Sequence, residues 1–310
     1  MDINIPEHLD NKRLDQAVAE LFPEYSRGRL QIWIKTGQIT VDGKVLRPRD
    51  KIHTGQHVEI NPIIEPIETW QAQPIPLNII YEDKDIIVIN KPAGLVVHPA
   101  AGRSHSTMLN ALLHHASELA NLPRAGIIHR LDKDTSGLLV VAKNLKAHTK
   151  LVAELQERNI TREYEAIVNG VMTAGGTINA PIGRHPRNRK RMAVITSGKS
   201  AITHYRVIKR FRAHTHIKVI LETGRTHQIR AHMAHIHYPI VGDQVYGGRQ
   251  KVPKGITEEL KQYLHNFKRQ ALHAKHLGLI HPTTGKQIEW QIPLPEDMQQ
   301  LLELLNKDFK

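Results

Sequence analysis

The apolar positions change their period along the chain, and the changes mark out its elements. Leu14, Ala17, Val18 and Leu21 recur at helical spacing, and Phe22-Pro23 ends that helix. Ser26 can cap a second helix, which runs through Leu30, Ile32, Trp33 and Ile34 to Gly37, a fitting C′ residue. Two short apolar runs, 39–41 and 44–46, flank Asp42-Gly43, the pattern of a tight hairpin, and 58–60 adds a further strand. Residues 61–76 carry Pro62, Pro66, Pro74 and Pro76 without periodicity and read as a stiff linker. The pattern therefore predicts a small domain with its linker over 1–75 and a larger domain over 76–310.

In the larger domain, 77–81 and 86–90 read as strands around Glu82-Asp83-Lys84-Asp85, and Lys91-Pro92-Ala93-Gly94 breaks the pattern. An amphipathic helix is predicted over 108–119, and a buried strand over 138–142. Asn144 can cap a helix whose apolar stripe is Leu145, Leu151, Val152 and Leu155. Thr161–Asn169 alternates as a strand, and 205–207 and 217–221 are further strands. Helices are expected over 226–237 and 296–305. Strands and helices mix without a regular βαβ period, so the fold class expected is α+β with a mixed, mostly antiparallel sheet.

Charge adds a partner to this picture. The chain has 310 residues, enough for a sizeable core, and a formal net charge of +13, which suits a polyanion such as nucleic acid. Residues 1–75 hold nine basic and eleven acidic side chains, yet 26–51 holds seven basic (Arg27, Arg29, Lys35, Lys44, Arg47, Arg49, Lys51) against Asp42 and Asp50. Positive charge is thus gathered on the second helix and the turn, as phosphate contacts would require. Residues 76–310 carry thirty-four basic and nineteen acidic side chains, a net of +15. There are no cysteines, which excludes disulfides and thiolate chemistry and fits a reducing compartment. No apolar run approaches a membrane span, and the acidic start lacks the features of a signal peptide, so a cytoplasmic protein is expected. His232 and His235 could share a helical face, but no cysteine or nearby carboxylate joins them, and no metal is expected.

The densest chemistry lies in 127–144. Between the apolar pairs Ile127-Ile128 and Leu138-Leu139 stand His129, Arg130, Asp132, Lys133, Asp134, Thr135 and Ser136, closed by Gly137. A surface turn would also be polar, but this collection of carboxylates, cations, imidazole and hydroxyls between core segments fits a catalytic loop on a rigid sheet. Asp134 is the expected turn-former. The octet Arg184-His185-Pro186-Arg187-Asn188-Arg189-Lys190-Arg191 is too polar for a core and reads as a finger that clamps phosphates.

Two stretches carry a specific resemblance. His129-Arg130-Leu131-Asp132-x-x-Thr135-Ser136-Gly137 and Leu221-Glu222-Thr223-Gly224-Arg225-Thr226-His227-Gln228-Ile229-Arg230 resemble motifs of the RluA-type pseudouridine synthases. Helix, helix and short strands at the N-terminus resemble the RNA-binding domain first named in the fourth protein of the small ribosomal subunit. The resemblance implies isomerisation of uridines in 23S large-subunit rRNA, which needs no cofactor because the N1–C1′ bond is exchanged for C5–C1′ without a redox step; a monomer is expected. It implies Asp132 as the catalytic carboxylate, attacking covalently or taking a proton. It also implies Arg230 as its salt-bridge partner and Tyr164 as the active-site tyrosine, stacking on the base. Arg130 is expected to fill the gap left by a flipped uridine, and Arg225 to contact phosphate. The competing expectation is a non-catalytic RNA-binding or assembly factor, which would have no use for Asp132, Tyr164 and Arg230 together.

Overall fold

The computed structural model describes residues 2–22, 27–61, 70–98, 105–188, 191–248 and 255–309. Of the positions singled out above, Pro23, Ser26, Arg189, Lys190 and linker residues 62–69 lie outside the described residues, as do the side chains of Arg27 and Arg29. The chain divides into two units, Met1–Thr69 and Trp70–Lys310. The division falls within the segment read as a linker. Residues 70–73 belong to the second unit because Asn110 Nδ2 donates to the Gln71 carbonyl and Gln73 N–H to the Asn110 carbonyl, at 2.8 and 3.0 Å.

The first unit contains β1 (Asp2–Asn4), α1 (Leu14–Leu21), α2 (Arg27–Thr36), β2 (Ile39–Val41) and β3 (His57–Ile60). Its antiparallel sheet has the order β1-β3-β2. Leu14, Val18, Leu30, Ile34, Ile39, Val58 and Ile60 form its core and are fully shielded from water. Helix α2 ends in Gly37-Gln38, whose N–H groups return to the carbonyls of Ile34 and Trp33 at 3.4 and 2.9 Å. The Asp42-Gly43 turn forms, with φ of 50° and 72°. The hairpin does not: β2 pairs with β3, and residues 44–46 make a single bridge, Lys44 to Val41. Val45 is 58% exposed and only Leu46 of this segment packs against the core, too little to hold a strand.

The second unit contains β4 (Ile79–Glu82), β5 (Ile86–Lys91), α3 (Met108–His115), β6 (Ser136–Ala142), α4 (Leu145–Gln156), β7 (Thr161–Asn169), β8 (Gly176–Asn179), β9 (Ile182–Arg184), β10 (Met192–Val194), β11 (Ile202–Arg210), β12 (His214–Leu221), α5 (Gln228–His235), α6 (Glu258–Asn266), β13 (Leu272–Ile280), β14 (Gln287–Gln291) and α7 (Glu296–Phe309). Among the described residues nine strands make one sheet in the order β4-β5-β6-β13-β7-β12-β11-β8, with β14 added to β13, while β9 and β10 pair separately. Every pairing is antiparallel except that of β6 with β13. The fold is α+β with a mixed sheet.

Apolar cores cover both faces of the β5–β6 region, which explains its unbroken hydrophobic runs. Ile87, Ile89, Leu139 and Val141 join the core under α3, whereas Ile86, Val88, Leu138 and Val140 pack with Ala147 and Leu151 of α4. The Asn144 side chain caps α4 by accepting from Ala147 N–H at 2.8 Å. Strand β13 was not apparent from the sequence because His273, Lys275 and His276 interrupt its apolar pattern. Inside the fold these side chains find partners on neighbouring strands, and Lys275 meets Glu165 of β7.

Candidate active site

Asp132 stands on a loop pinned along its whole length by polar side chains. Ile127 bridges back to Val141, and His129 Nε2 accepts from Val140 N–H at 3.2 Å. Burial, with the charge of Arg162 behind it, pulls the His129 pKa down to about 3, so the ring stays a neutral acceptor. Thr135 N–H turns back to the Asp132 carbonyl at 3.1 Å, and Gln270 Nε2 donates to Thr135 Oγ1 at 3.0 Å. Ser136 Oγ lies 2.9 Å from His273 Nδ1 of β13. His129, Thr135 and Ser136 therefore build the platform, while Arg130 and Lys133 are exposed.

Lys91, at the end of β5, holds the loop from behind. It is fully buried, and its Nζ donates to the carbonyls of Pro92, Leu95 and Lys133 at 2.7, 2.9 and 3.0 Å. Three carbonyls saturate an ammonium. Burial nevertheless draws its pKa down to about 7, against the pull of Asp134 and Asp132. Gly94 N–H adds a bond to the same Lys133 carbonyl at 2.9 Å. Two segments forty residues apart are thus fastened beside Asp132.

Helix α5 brings Arg230 to this loop. Its Nη1 lies 2.9 Å from Asp132 Oδ2, while Nε and Nη2 lie 2.7 and 2.9 Å from the carboxylate of Asp243. Asp243 is held in turn by the N–H groups of Val245 and Tyr246 at 2.8 and 2.9 Å. Burial pushes the Asp243 carboxyl up, but the bonds and charge of Arg230 outweigh it and leave the pKa lowered. Burial likewise works against the Arg230 charge, and the two carboxylates reverse it and raise that pKa. The result is a buried Asp243–Arg230 pair presenting one N–H edge to Asp132, whose side chain is 15% exposed.

His227 Nε2 is 4.0 Å from Asp132 Oδ1, and its Nδ1 is 3.0 Å from the Tyr246 hydroxyl, which accepts from Met192 N–H at 2.8 Å. The guanidinium carbons of Arg230 and Arg191 each lie 5.1 Å from the Tyr246 ring centroid, within cation–π range. Tyr164 of β7 is 6% exposed; burial pushes its hydroxyl pKa up, Arg162 opposes this, and Asp132 adds to the rise. Asp132, Arg230 and Tyr164 thus share one electrostatic neighbourhood.

The expected RNA-contact residues are spread more widely. Arg225 is exposed, and its Nε donates to the Ser200 carbonyl at 3.0 Å. Arg184 and Arg187 are exposed on the β9–β10 hairpin, whereas Arg191 turns inward over Tyr246. In the first unit Lys35, Arg47 and Arg49 line one depression together with Arg13, which lies outside the basic 26–51 stretch. His232 engages Thr203 Oγ1 at 2.8 Å and the Ala180 carbonyl at 2.9 Å, so both its nitrogens are occupied. Asp83, Asp85 and His281 also cluster. His281 Nδ1 accepts from Thr283 and Thr284 N–H at 3.2 and 3.1 Å, which leaves Nε2 protonated toward Asp83 rather than free for a cation. Lys91, Asp243 and Tyr246 carried no legible role in the sequence. Their signals, Lys91-Pro92 after a strand and Gly242-Asp243 before Tyr246-Gly247, become readable only once the loops meet.

Residues 85–235 match the RNA pseudouridylate synthase family, and residues 12–58 match the S4 domain. The chain is 60% identical to "Ribosomal large subunit pseudouridine synthase D" of Pseudomonas aeruginosa over 98% of this chain and 95% of the relative. It is 55% identical to the protein of the same name in Escherichia coli, over 99% and 94%. The solved structure of Human RNA Pseudouridylate Synthase Domain Containing 4 shares the fold, with a TM-score of 0.58 and 24% identity over 74% of this chain and 93% of its own. That of Domain Containing 1 gives 0.55 and 25% over 76% and 96%. These matches define an RNA pseudouridylate synthase with a separate S4 domain. The chain belongs to the pseudouridine synthase family.

Proposed function

We propose that the protein converts uridines of 23S large-subunit rRNA to pseudouridine in the cytoplasm, as a monomer, with Asp132 as the catalytic carboxylate. The observation that carries this reading is the chain Asp243–Arg230–Asp132, in which a buried, doubly held guanidinium offers one N–H edge to a partly open carboxylate. Such an arrangement fixes the carboxylate in one orientation, and preorganised geometry is what a glycosidic bond exchange needs. Asp132 acts at the sugar–base junction, as nucleophile or as base, in its anionic form. Tyr164, whose hydroxyl feels the Asp132 charge, is the residue to stack on the base that must turn, and Arg130 is exposed on the catalytic loop, where it can replace the uridine in the stack. Substrate is drawn in by the net +15 of residues 76–310 and by Lys35, Arg47 and Arg49 of the first unit. The names of the close relatives support large-subunit rRNA as the target. Within the described residues no helix is long and apolar enough to cross a membrane.

The test is a map of pseudouridines in 23S rRNA from cells lacking the protein, complemented with the wild-type chain or with Asp132→Asn. Sites should be lost on deletion, return with wild type and stay absent with the variant. Unchanged maps on deletion would exclude this substrate, and restoration by Asp132→Asn would exclude this residue.

A further inference from the structure

Arg162 and Arg230 are equally buried, at 6% exposure each, and are treated in opposite ways by the fold. Arg230 has two carboxylates. Arg162 Nε is buried without a hydrogen-bond partner, and among the described residues no carboxylate offsets its charge. Burial accordingly lowers its pKa. Taking an unpaired cation out of water is among the costliest things a fold can do, and an apolar isostere would be cheaper.

The position of Arg162 suggests what compensates. It lies two residues before Tyr164 on β7, so both side chains leave the same face of the sheet. Glu163 and Glu165 leave the opposite face, where they line a depression with Lys218 and Lys275. The charge of Arg162 acts on both Tyr164 and His129, so the guanidinium shares their electrostatic surroundings. Its Nη1 lies against Gly224: a Cβ on that residue would stand 2.8 Å from the nitrogen. Only glycine in the 223–227 segment, whose far end carries His227 beside Asp132, lets the guanidinium come this close.

We propose that Arg162 receives a carbonyl oxygen of the flipped target uracil, O2 or O4, and takes up the negative charge left on the base when its N1–C1′ bond breaks. Heterolysis leaves the bonding pair on uracil, where the charge is shared by N1, O2 and O4. Attack of C5 on C1′ consumes that pair, the C5 proton departs, and N1 ends protonated, so the reaction remains an isomerisation. A phosphodiester is the other anion in the substrate. The depth of Arg162 and its neighbourhood with Tyr164 favour the base, which can be swung inward, over the backbone, which stays at the surface. This inference rests on the reading of Asp132 as the catalytic centre.

The experiment uses the full chain and an rRNA transcript whose target is uridine, 2-thiouridine or 4-thiouridine, since sulfur accepts hydrogen bonds weakly. Single-turnover conversion, binding and its salt dependence, and thermal unfolding are measured for wild type, Arg162→Met and Asp132→Asn. Arg162→Met should reduce the saturated rate about 10²–10³-fold, the effect of losing one preorganised charge-stabilising donor. Its dissociation constant and salt slope should match wild type, and its Tm should be equal or higher. Wild type should convert one of the two thio substrates more slowly than uridine, and Arg162→Met should lose that discrimination. A weaker dissociation constant with a shallower salt slope and a normal saturated rate would make Arg162 a phosphate contact and overturn the proposal. A lowered Tm would make it a structural residue, with the same consequence. Full activity of Arg162→Met refutes this inference alone, whereas turnover by Asp132→Asn refutes the reading beneath it.

Discussion

Asp243 grips Arg230 with both carboxylate oxygens, at 2.7 and 2.9 Å, and thereby decides which nitrogen Arg230 can offer to Asp132. A guanidinium has a fixed fork, so occupying Nε and Nη2 fixes the direction of Nη1. Asp243→Asn keeps the size but weakens one of the two bonds and removes the charge. The expected outcome is a 10- to 100-fold lower saturated single-turnover rate, with RNA binding unchanged. Combined with Arg230→Lys it should add little, because residues that act as a unit are not additive. Rate losses that multiply fully in the double variant would show that Asp243 and Arg230 act separately.

Asp243 also shows where sequence reading stops. The loop 129–136 and the strand Thr161–Asn169 were legible because the residues of each lie together in the chain, whereas Arg230, ninety-eight residues from Asp132, was reached only through the family resemblance. The span of α2 and the Asn144 cap of α4 were legible for the same local reason. What was not legible depends on contacts between distant segments. Lys91 looks like an exposed end of a strand until three carbonyls, one of them forty-two residues away, surround it. Strand β13, placed between β6 and β7, was hidden because its polar residues are satisfied across the sheet, by Ser136 and Glu165, and not along the chain. The 44–46 strand was expected from a turn that does form, which shows that a turn sets a reversal but not the partner of the strand that follows.

Gly137, at the start of β6, lies tightly against β13. Its φ is 114°, and an added Cβ would stand 2.2 Å from the Ala274 carbonyl oxygen. Gly137→Ala must part β6 from β13 where their parallel pairing begins, at Ser136 and Gly137. Destabilisation of about 3 kcal/mol or more is expected from the combined backbone strain and overpacking. Urea denaturation followed by circular dichroism reads it, and a cost below about 1 kcal/mol would show that the strands separate easily.

Buried histidines, His129 and His273 among them, make the second unit sensitive to acid. Burial lowers the pKa of His129 to about 3 and that of His273 to about 4, against 6.5 for a free histidine. In each case the unfolded chain takes up a proton before the folded one does. Stability should therefore be full above about pH 6.5 and decline as pH falls toward 4, the loss from His273 ending there and that from His129 near 3. At pH 5 each group should cost about 1–2 kcal/mol, the lower figure suiting His129, which is only partly shielded from water. His273→Gln should flatten part of this slope. The check is urea denaturation at pH 7 and pH 5. An unchanged difference between those two pH values in the variant would show that His273 is not the titrating group.

The first unit supplies the last prediction. Lys35, Arg47 and Arg49 are exposed and line one depression with Arg13, while Arg13 is already committed to the buried carboxylate of Asp15 at 3.0 Å. Within this depression, Lys35, Arg47 and Arg49 are therefore the cations available to phosphate. The unit has its own core, from Ile5 to Ile60, and the second unit has a separate one, so residues 70–310 should fold without it. That shorter chain should retain conversion of a small RNA bearing the target, but bind a long rRNA transcript more weakly. In the full-length protein, replacing Lys35, Arg47 and Arg49 with Ala should lower affinity for RNAs of any sequence alike, because phosphate carries no base identity. Each lost contact should reduce the slope of log affinity against log salt by about 0.7–0.9. Binding titrations between low and physiological salt measure this. An unchanged slope in the triple variant would remove these residues from the RNA interface, and a loss confined to one RNA sequence would turn the depression from a phosphate clamp into a reader of bases.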